Sequence, residues 1–247
     1  MGGAKQNKMT TTYCVFGEGP NDIGVIDWTT REIKQEGCYS GFFRAAREIS
    51  HLDCLKAVEL KNLKLPGHGR KRPVAKRLKG FTHHSYYAAR MAATAGADFL
   101  LIGTDVDRGR GSESTHSKRV KSLRQYRKEF EEGFKIACED NPSVKQIQLV
   151  VIVPLCKLET WLLADEKAFF KAAGLKRGEL PKQLELMHGQ TDAKTFLHSL
   201  FKKHEREVPD TKILFNIALK SSPDVLSEMC PVSYKPFLAQ CAASRVK

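Results

Sequence analysis

The chain has 247 residues, with 41 Lys and Arg against 28 Asp and Glu, a formal net charge of +13 and 41% hydrophobic residues. This is globular composition, long enough to bury a core without disulfide or metal staples and too apolar for a disordered or collagen-like chain. No apolar run approaches the ~20 residues of a membrane helix, and the basic N-terminus MGGAKQNKMTTT has no apolar stretch behind it of the kind a secretory signal carries.

In chain order, Thr12 to Gly17 (TYCVFG) is β-branched or aromatic and closes on glycine, which predicts a strand. A helix starting near Pro20 would have proline at a favoured first position. Gly41 to Ser50 has helical composition, and Leu55 to Leu65 alternates like a strand. Thr82 to Gly96 reads as an Ala-rich helix with Thr82 as cap and Gly96 as stop. Ala97 to Thr104 (ADFLLIGT) and Ile147 to Leu155 (IQLVVIVPL) are continuously apolar, the pattern of strands covered on both faces of a parallel sheet. Ser117 to Glu139 predicts a long charged helix between them. From Glu159 onward the pattern is helical, broken by Gly174, Pro181, Pro209, Pro223, Pro231 and Pro236. Alternating strands and helices argue for an α/β fold, a mainly parallel sheet flanked by helices, over residues 1–165. Residues 166–247 are then a helical C-terminal extension packed on it.

The seven cysteines form no C-x-x-C pair and mostly sit among apolar residues, so they read as reduced core thiols and not as a zinc cage. With no secretory or membrane signal, a cytoplasmic location is expected. The positive charge concentrates in two stretches. Gly67 to Gly80 carries Arg70, Lys71, Arg72, Lys76, Arg77 and Lys79 with no acid, and the stretch from Arg108 to Lys128 includes Arg108, Arg110, Lys118 and Arg119 with Glu113 as its one acid. Two acid-poor basic stretches predict binding to a polyanion, DNA or RNA, through its backbone. No helix-turn-helix, zinc-finger or RNP pattern points to a reader of sequence.

Acids follow each strong strand. Glu18-Gly19-Pro20-Asn21-Asp22 follows the first, Asp105-Val106-Asp107 the second, and Lys157-Leu158-Glu159 the third. The carboxyl ends of parallel strands share one edge, where ligands bind, so five carboxylates are expected on one rim. Their repulsion calls for a cation, and oxygen donors without His or Cys suit Mg²⁺ or Mn²⁺, as one or two ions. In extended backbone Asp105 and Asp107 point to the same side, and Gly19 leaves room for a phosphate near the backbone. Trp161 and Trp28 are expected in the core, and Asp165 is left out of the acid set.

This order of motifs resembles that of a Toprim domain, the metal-binding module of topoisomerases, DnaG-type primases and the overcoming-lysogenisation-defect nucleases. The likeness, over Tyr13 to about Asp165, is greatest to those nucleases and to small stand-alone bacterial Toprim-like proteins whose third motif reads much like Leu158 to Asp165 (LETWLLAD). The resemblance implies a Rossmann-like sheet and a Mg²⁺- or Mn²⁺-dependent nuclease. Glu18, Asp22, Asp105, Asp107 and Glu159 would be metal ligands, and Glu18 is also a candidate general base or acid. The family's downstream catalytic lysine has no fixed match: Lys194 is the first choice, with Lys212 and Lys220 as alternatives. Lys157 departs from the pattern, standing where the nucleases usually carry serine. The absence of G-x-x-x-x-G-K-[ST] leaves an ATPase partner in trans as an expectation, and an effector role in a defence system follows only from the company such proteins keep. The competing reading is a non-catalytic nucleic-acid-binding subunit that works with a separate ATPase.

Overall fold

A computed structural model describes residues 10–27, 29, 30, 32–48, 52–63, 78–106, 115–187 and 192–243. Four parallel strands form the central sheet: β1 (Thr11–Gly17), β4 (Leu52–Glu59), β5 (Phe99–Gly103) and β6 (Gln148–Ile152), in the order β4-β1-β5-β6. Between β1 and β4 the chain makes a single helical turn, α1 (Pro20–Ile23), a small antiparallel hairpin, β2 (Gly24–Ile26) and β3 (Ile33–Glu36), and the helix α2 (Cys38–Arg47). Helix α3 (Gly80–Ala95) leads into β5, and α4 (His116–Asp140) joins β5 to β6.

The apolar strands are covered on both faces because helices pack on both. Side chains alternate across a strand, and the core divides accordingly. Tyr13, Val15, Phe99, Leu101, Val150 and Ile152 belong to one apolar cluster with α2, whereas Cys14, Phe16, Leu100, Ile102 and Val151 belong to another with α3 and α4. The result is an α/β sandwich with a parallel, Rossmann-like sheet.

The C-terminal region is helical, as its pattern predicts. α5 (Glu159–Leu162), α6 (Glu166–Ala173), α7 (Ala193–Lys203), α8 (Thr211–Lys220), α9 (Pro223–Met229) and α10 (Tyr234–Ala242) follow β6. They join the α2 side of the core: Trp161 is fully buried, with ring centroids 5.4 Å from Phe42, 4.9 Å from Tyr234 and 5.4 Å from Phe237. Asp165 is structural, since its Oδ1 accepts from Ala168 N to cap α6 and its Oδ2 accepts from Ser222 N ahead of α9. All seven cysteines are free thiols, with Cys54 and Cys138 partly accessible and the others buried. Trp28 lies outside the described residues. Among the described residues no helix is long and apolar enough to cross a membrane.

Three elements differ from the sequence expectation. The alternating stretch at Leu55 begins as a strand at Leu52 and ends at Glu59, where a short 3-10 turn takes over. The β2–β3 hairpin carries too few residues to show a period. Helix α3 starts at Gly80 instead of being capped by Thr82, because Phe81 N donates to Glu129 Oε2 across on α4 while its ring packs on Tyr126 and Phe130. A tertiary carboxylate there does the work that a local cap does elsewhere.

Candidate functional site

From β1 the chain passes outward to β4, then returns across β1 to β5, so the strand order reverses between β1 and β5. The loops leaving their carboxyl ends diverge there and leave a crevice. Both strands end in glycine for a steric reason. A Cβ added at Gly17 or at Gly103 would sit 2.9 Å from Cε2 of Tyr39, and at Gly103 also 2.2 Å from the Ile152 carbonyl oxygen. The two glycines thus let the Tyr39 ring close the floor of the crevice.

Glu18 follows Gly17, and its Oε1 accepts a hydrogen bond from the Thr104 hydroxyl, the residue after β5. Asp22 Oδ2 accepts from the backbone N–H groups of Glu18 (3.0 Å) and Gly19 (3.1 Å), which closes the one-turn α1 onto itself and points the carboxylate back at the crevice. Asp105 lies immediately beyond Thr104, and its Oδ1 is buried with no hydrogen-bond partner. Glu159 opens α5 on the next loop along. These four acids, with Cys38, Lys157 and Lys194, line a cleft of about 390 Å³. Hollows of about 400 and 420 Å³ lie elsewhere, beside Gly174 and Val208, but neither gathers acids from separate strand ends.

The acids work against one another. Burial, followed by the charges of Glu18 and Glu159, pushes the Asp22 carboxyl up to about 7 even though its two backbone donors oppose the rise. Burial and the charges of Asp22, Glu159 and Glu18 push Asp105 well above the usual carboxylate range, with Lys157 acting in the other direction. Beneath them, burial and the same acids hold the Cys38 thiol and the Tyr39 phenol in their protonated forms. The Tyr39 hydroxyl is a second buried group without a hydrogen-bond partner. Native proteins rarely leave such groups unmatched, and here two of them lie in one crowded acidic region.

The donor set is all oxygen on its rim, repels itself and holds an unmatched carboxylate oxygen, so its chemistry and charge fit a hard divalent cation. Among the described residues, however, no group of three or more His, Cys, Asp or Glu side chains is already drawn together so as to hold a metal ion. Asp107, the remaining acid of the expected set, lies outside the described residues, as do Arg70, Lys71, Arg72, Lys76, Arg77, Arg108 and Arg110.

Among the basic candidates, Lys79 lies immediately before α3 and Lys118 in the first turn of α4, and both are exposed. Lys194 lies at the start of α7 on the rim of the cleft, whereas Lys212 and Lys220 are not part of its lining. Arg119 requires a correction, because it is 2% exposed, with Nη1 donating to Cys156 Sγ (3.1 Å) and to the Met187 carbonyl (3.3 Å). Its surroundings turn it inward, away from any ligand on the outer surface. The spacing carried that signal: Arg119, Leu123, Phe130 and Ala137 share the buried stripe of α4.

Sequence reasoning did not assign roles to Thr104, Cys38, Tyr39, Lys157 or Asp192. Lys157 Nζ lies 2.7 Å from Asp192 Oδ2, a contact between segments 35 residues apart that no local pattern announces. Comparison of the chain with protein-family models, with curated proteins and with solved structures returned no match.

Proposed function

We propose that the protein is a Mg²⁺- or Mn²⁺-dependent nuclease that hydrolyses phosphodiester bonds of DNA or RNA, with the Toprim-like order of its motifs as the sequence side of the argument. The observation that carries this reading is the convergence of Glu18, Asp22, Asp105 and Glu159 on the crevice where the strand order reverses, with Asp105 Oδ1 buried and unmatched. Asp22, Asp105, Glu159 and Asp107 would hold the cation, with Glu18 completing the set or moving a proton at its edge.

When bound, a divalent cation would neutralise these carboxylates and stabilise charge on the phosphate oxygens. Hydrolysis forms a bond from a water oxygen to phosphorus, breaks the opposite P–O bond and delivers one proton from the water to the leaving oxygen. Nothing is oxidised or reduced. Thr104 fixes the Glu18 carboxylate beside that path, and the protonated Tyr39 and Cys38 close the floor beneath the acids. The exposed Lys79, just before α3, and Lys118, in the first turn of α4, would hold nucleic-acid backbone in a salt-sensitive way.

The test is a cleavage screen with Mg²⁺ or Mn²⁺ against single- and double-stranded DNA, supercoiled plasmid and total RNA, using Asp105→Asn as control. Cutting by the wild type alone supports the nuclease and names its substrate. Cutting that appears only with an added ATPase and ATP places the chain as one subunit of a larger machine. Salt-sensitive binding with no cutting in any arm replaces the nuclease by the nucleic-acid-binding subunit.

A further inference from the structure

The cleft has a basic wall as well as an acidic one, and the two lysines that form it are held very differently. Lys194 is exposed at the second position of α7, on a flexible four-carbon stem. Lys157 is launched from a fixed backbone. Cys156, just before it, is buried and takes the left-handed conformation at φ 78°, which a residue other than glycine keeps only when its surroundings impose it. Those surroundings are visible: Arg119 Nη1 donates to Cys156 Sγ, which in turn lies 3.6 Å from the Glu185 carbonyl as donor.

The far end of Lys157 is held too. Its Nζ donates to Asp192 Oδ2 at 2.7 Å, with the two side chains 22% and 12% exposed, while Asp192 Oδ1 accepts from Thr195 N at 2.8 Å and caps α7. One carboxylate therefore does two things, starting the helix with one oxygen and holding a cation at the edge of the cleft with the other. Burial works against the charge on Asp192, but the Lys157 ammonium and the Thr195 N–H outweigh it and keep the carboxyl below its usual range. The Lys157 charge also reaches across the cleft, where it opposes the rise at Asp105.

We infer that Lys157 is the cation that meets the non-bridging oxygens of the reacting phosphodiester, and that Asp192 is a positioning residue which holds it ready; this deepens the nuclease reading and rests on it. A preorganised charge stabilises a transition state better than one that must first be ordered, since no reorganisation is needed as charge develops. The bond changes at phosphorus are those of the hydrolysis above, and Lys157 remains protonated throughout. The C-terminal helices then complete the site, because α7 supplies the residue that fixes the lysine of the third motif.

The experiment uses the full chain with Mn²⁺ and bis(p-nitrophenyl) phosphate, a phosphodiester too small to engage the outer basic stretches. Lys157→Met is expected to lower kcat about 100-fold or more, the scale of losing one preorganised charge donor, with KM changed less than about threefold. Lys157→Arg, which keeps the charge, restores about a tenth or more of kcat. Asp192→Asn still caps α7 but gives up the ion pair to Lys157. The melting temperature therefore falls while the chain stays folded at the assay temperature, and kcat falls about tenfold. Lys157→Arg, which keeps the pair, restores both, whereas a mere strut between segments would lose melting temperature without the loss of kcat. A Lys157→Met kcat within about threefold of wild type, or a loss carried by Lys194→Met in its place, overturns the inference. Should Lys157→Met fail to fold, the Lys157→Arg and Asp192→Asn values decide in the same directions. Should the wild type hydrolyse no phosphodiester at all, the nuclease reading fails by itself. Calorimetric binding of inorganic pyrophosphate with Mg²⁺ then decides the role of Lys157. Weakening by about tenfold in Lys157→Met, with Lys157→Arg closer to wild type because it keeps the charge, supports an anion contact, and unchanged binding in Lys157→Met overturns it.

Discussion

The seam beneath α10 and the crevice between β1 and β5 both take carboxylates out of water, and the chain treats them in opposite ways. Under α10, Glu185 is 6% exposed and accepts from Val232 N (3.1 Å), Ser233 N (2.8 Å) and Ser233 Oγ (2.6 Å). Ser233 Oγ in turn accepts from Trp161 Nε1 at 2.7 Å, so the network reaches the largest side chain of the core. In the crevice, Asp105 keeps a buried oxygen with no donor, and its nearest charged neighbours include three further acids. The same sequence can therefore match a buried acid completely when the acid serves the fold. Leaving another unmatched costs stability, and such a cost persists where function requires it.

Asp105→Asn breaks this contrast most sharply. On the proposed reading it lowers metal-dependent cleavage by about 10³-fold or more, because it removes both a ligand and a charge. In the absence of metal it should raise the melting temperature, since it replaces a carboxyl whose ionised form is disfavoured by burial and by the neighbouring acids. Cleavage assays and calorimetry on one preparation check both, and cleavage retained by Asp105→Asn would place the chemistry elsewhere. Glu185→Ala should do the reverse. It strands two backbone donors and a hydroxyl in the core, at a cost of about 3 kcal/mol or more, which for a chain of this size is a fall of roughly 6–12 °C. At temperatures where the variant stays folded, its kcat should remain close to wild type.

The pH dependence sharpens the comparison without any mutation. Asp22 is held up to about 7 and Asp105 well above the usual range, so across that interval the folded chain binds more protons than the unfolded one. Stability contributed by such groups falls as pH rises. His83 and His84, which burial holds below the usual histidine range, act in the opposite direction over part of this interval, so the two acids are read against the Mg²⁺-saturated chain. The gap between its melting temperature and the metal-free one should widen from about pH 5 to pH 8, because the cation favours the ionised carboxylates. Asp192 has the opposite sign: its carboxyl is held low, so its contribution is present at neutral pH and is lost only on acidification below the usual carboxylate range. A gap that stays constant or narrows towards pH 8 would contradict the burial and repulsion described for the crevice acids.

Much of this arrangement is legible in the amino-acid sequence. β5 and β6 announce themselves because strands buried on both faces are continuously apolar, β1 by a β-branched and aromatic run that closes on glycine, and acids that follow such strands are expected at the carboxyl edge. That rule alone brings Glu18, Asp22, Asp105 and Glu159 together. What stays hidden depends on contacts between distant segments: the Lys157–Asp192 pair, the Glu129 carboxylate that starts α3, and the Thr104 hydroxyl on Glu18. Arg119 misleads for a different reason. Within a run of basic residues its charge outweighs its position on the buried stripe of α4, although helical period decides which way a side chain points.

The smallest expected effect separates space the fold fills from space left open. Gly17 and Gly103 lie against the Tyr39 ring and, at Gly103, against a β6 carbonyl, so Gly103→Ala forces backbone to move at a cost of about 1–3 kcal/mol. Gly19 is the contrary case. Nothing lies within 4 Å of a Cβ added there, and its φ of −160° is extended backbone open to any residue. Gly19→Ala should therefore cost no more than about 1 kcal/mol, from the poorer helix start alone. If phosphate approaches the backbone at that point, the added methyl meets the ligand and not the protein. kcat/KM for the phosphodiester then falls several-fold while the melting temperature barely moves. Unchanged kinetics in Gly19→Ala would mean that the phosphate enters from the Lys157 side of the cleft, leaving the first loop to hold the carboxylates alone.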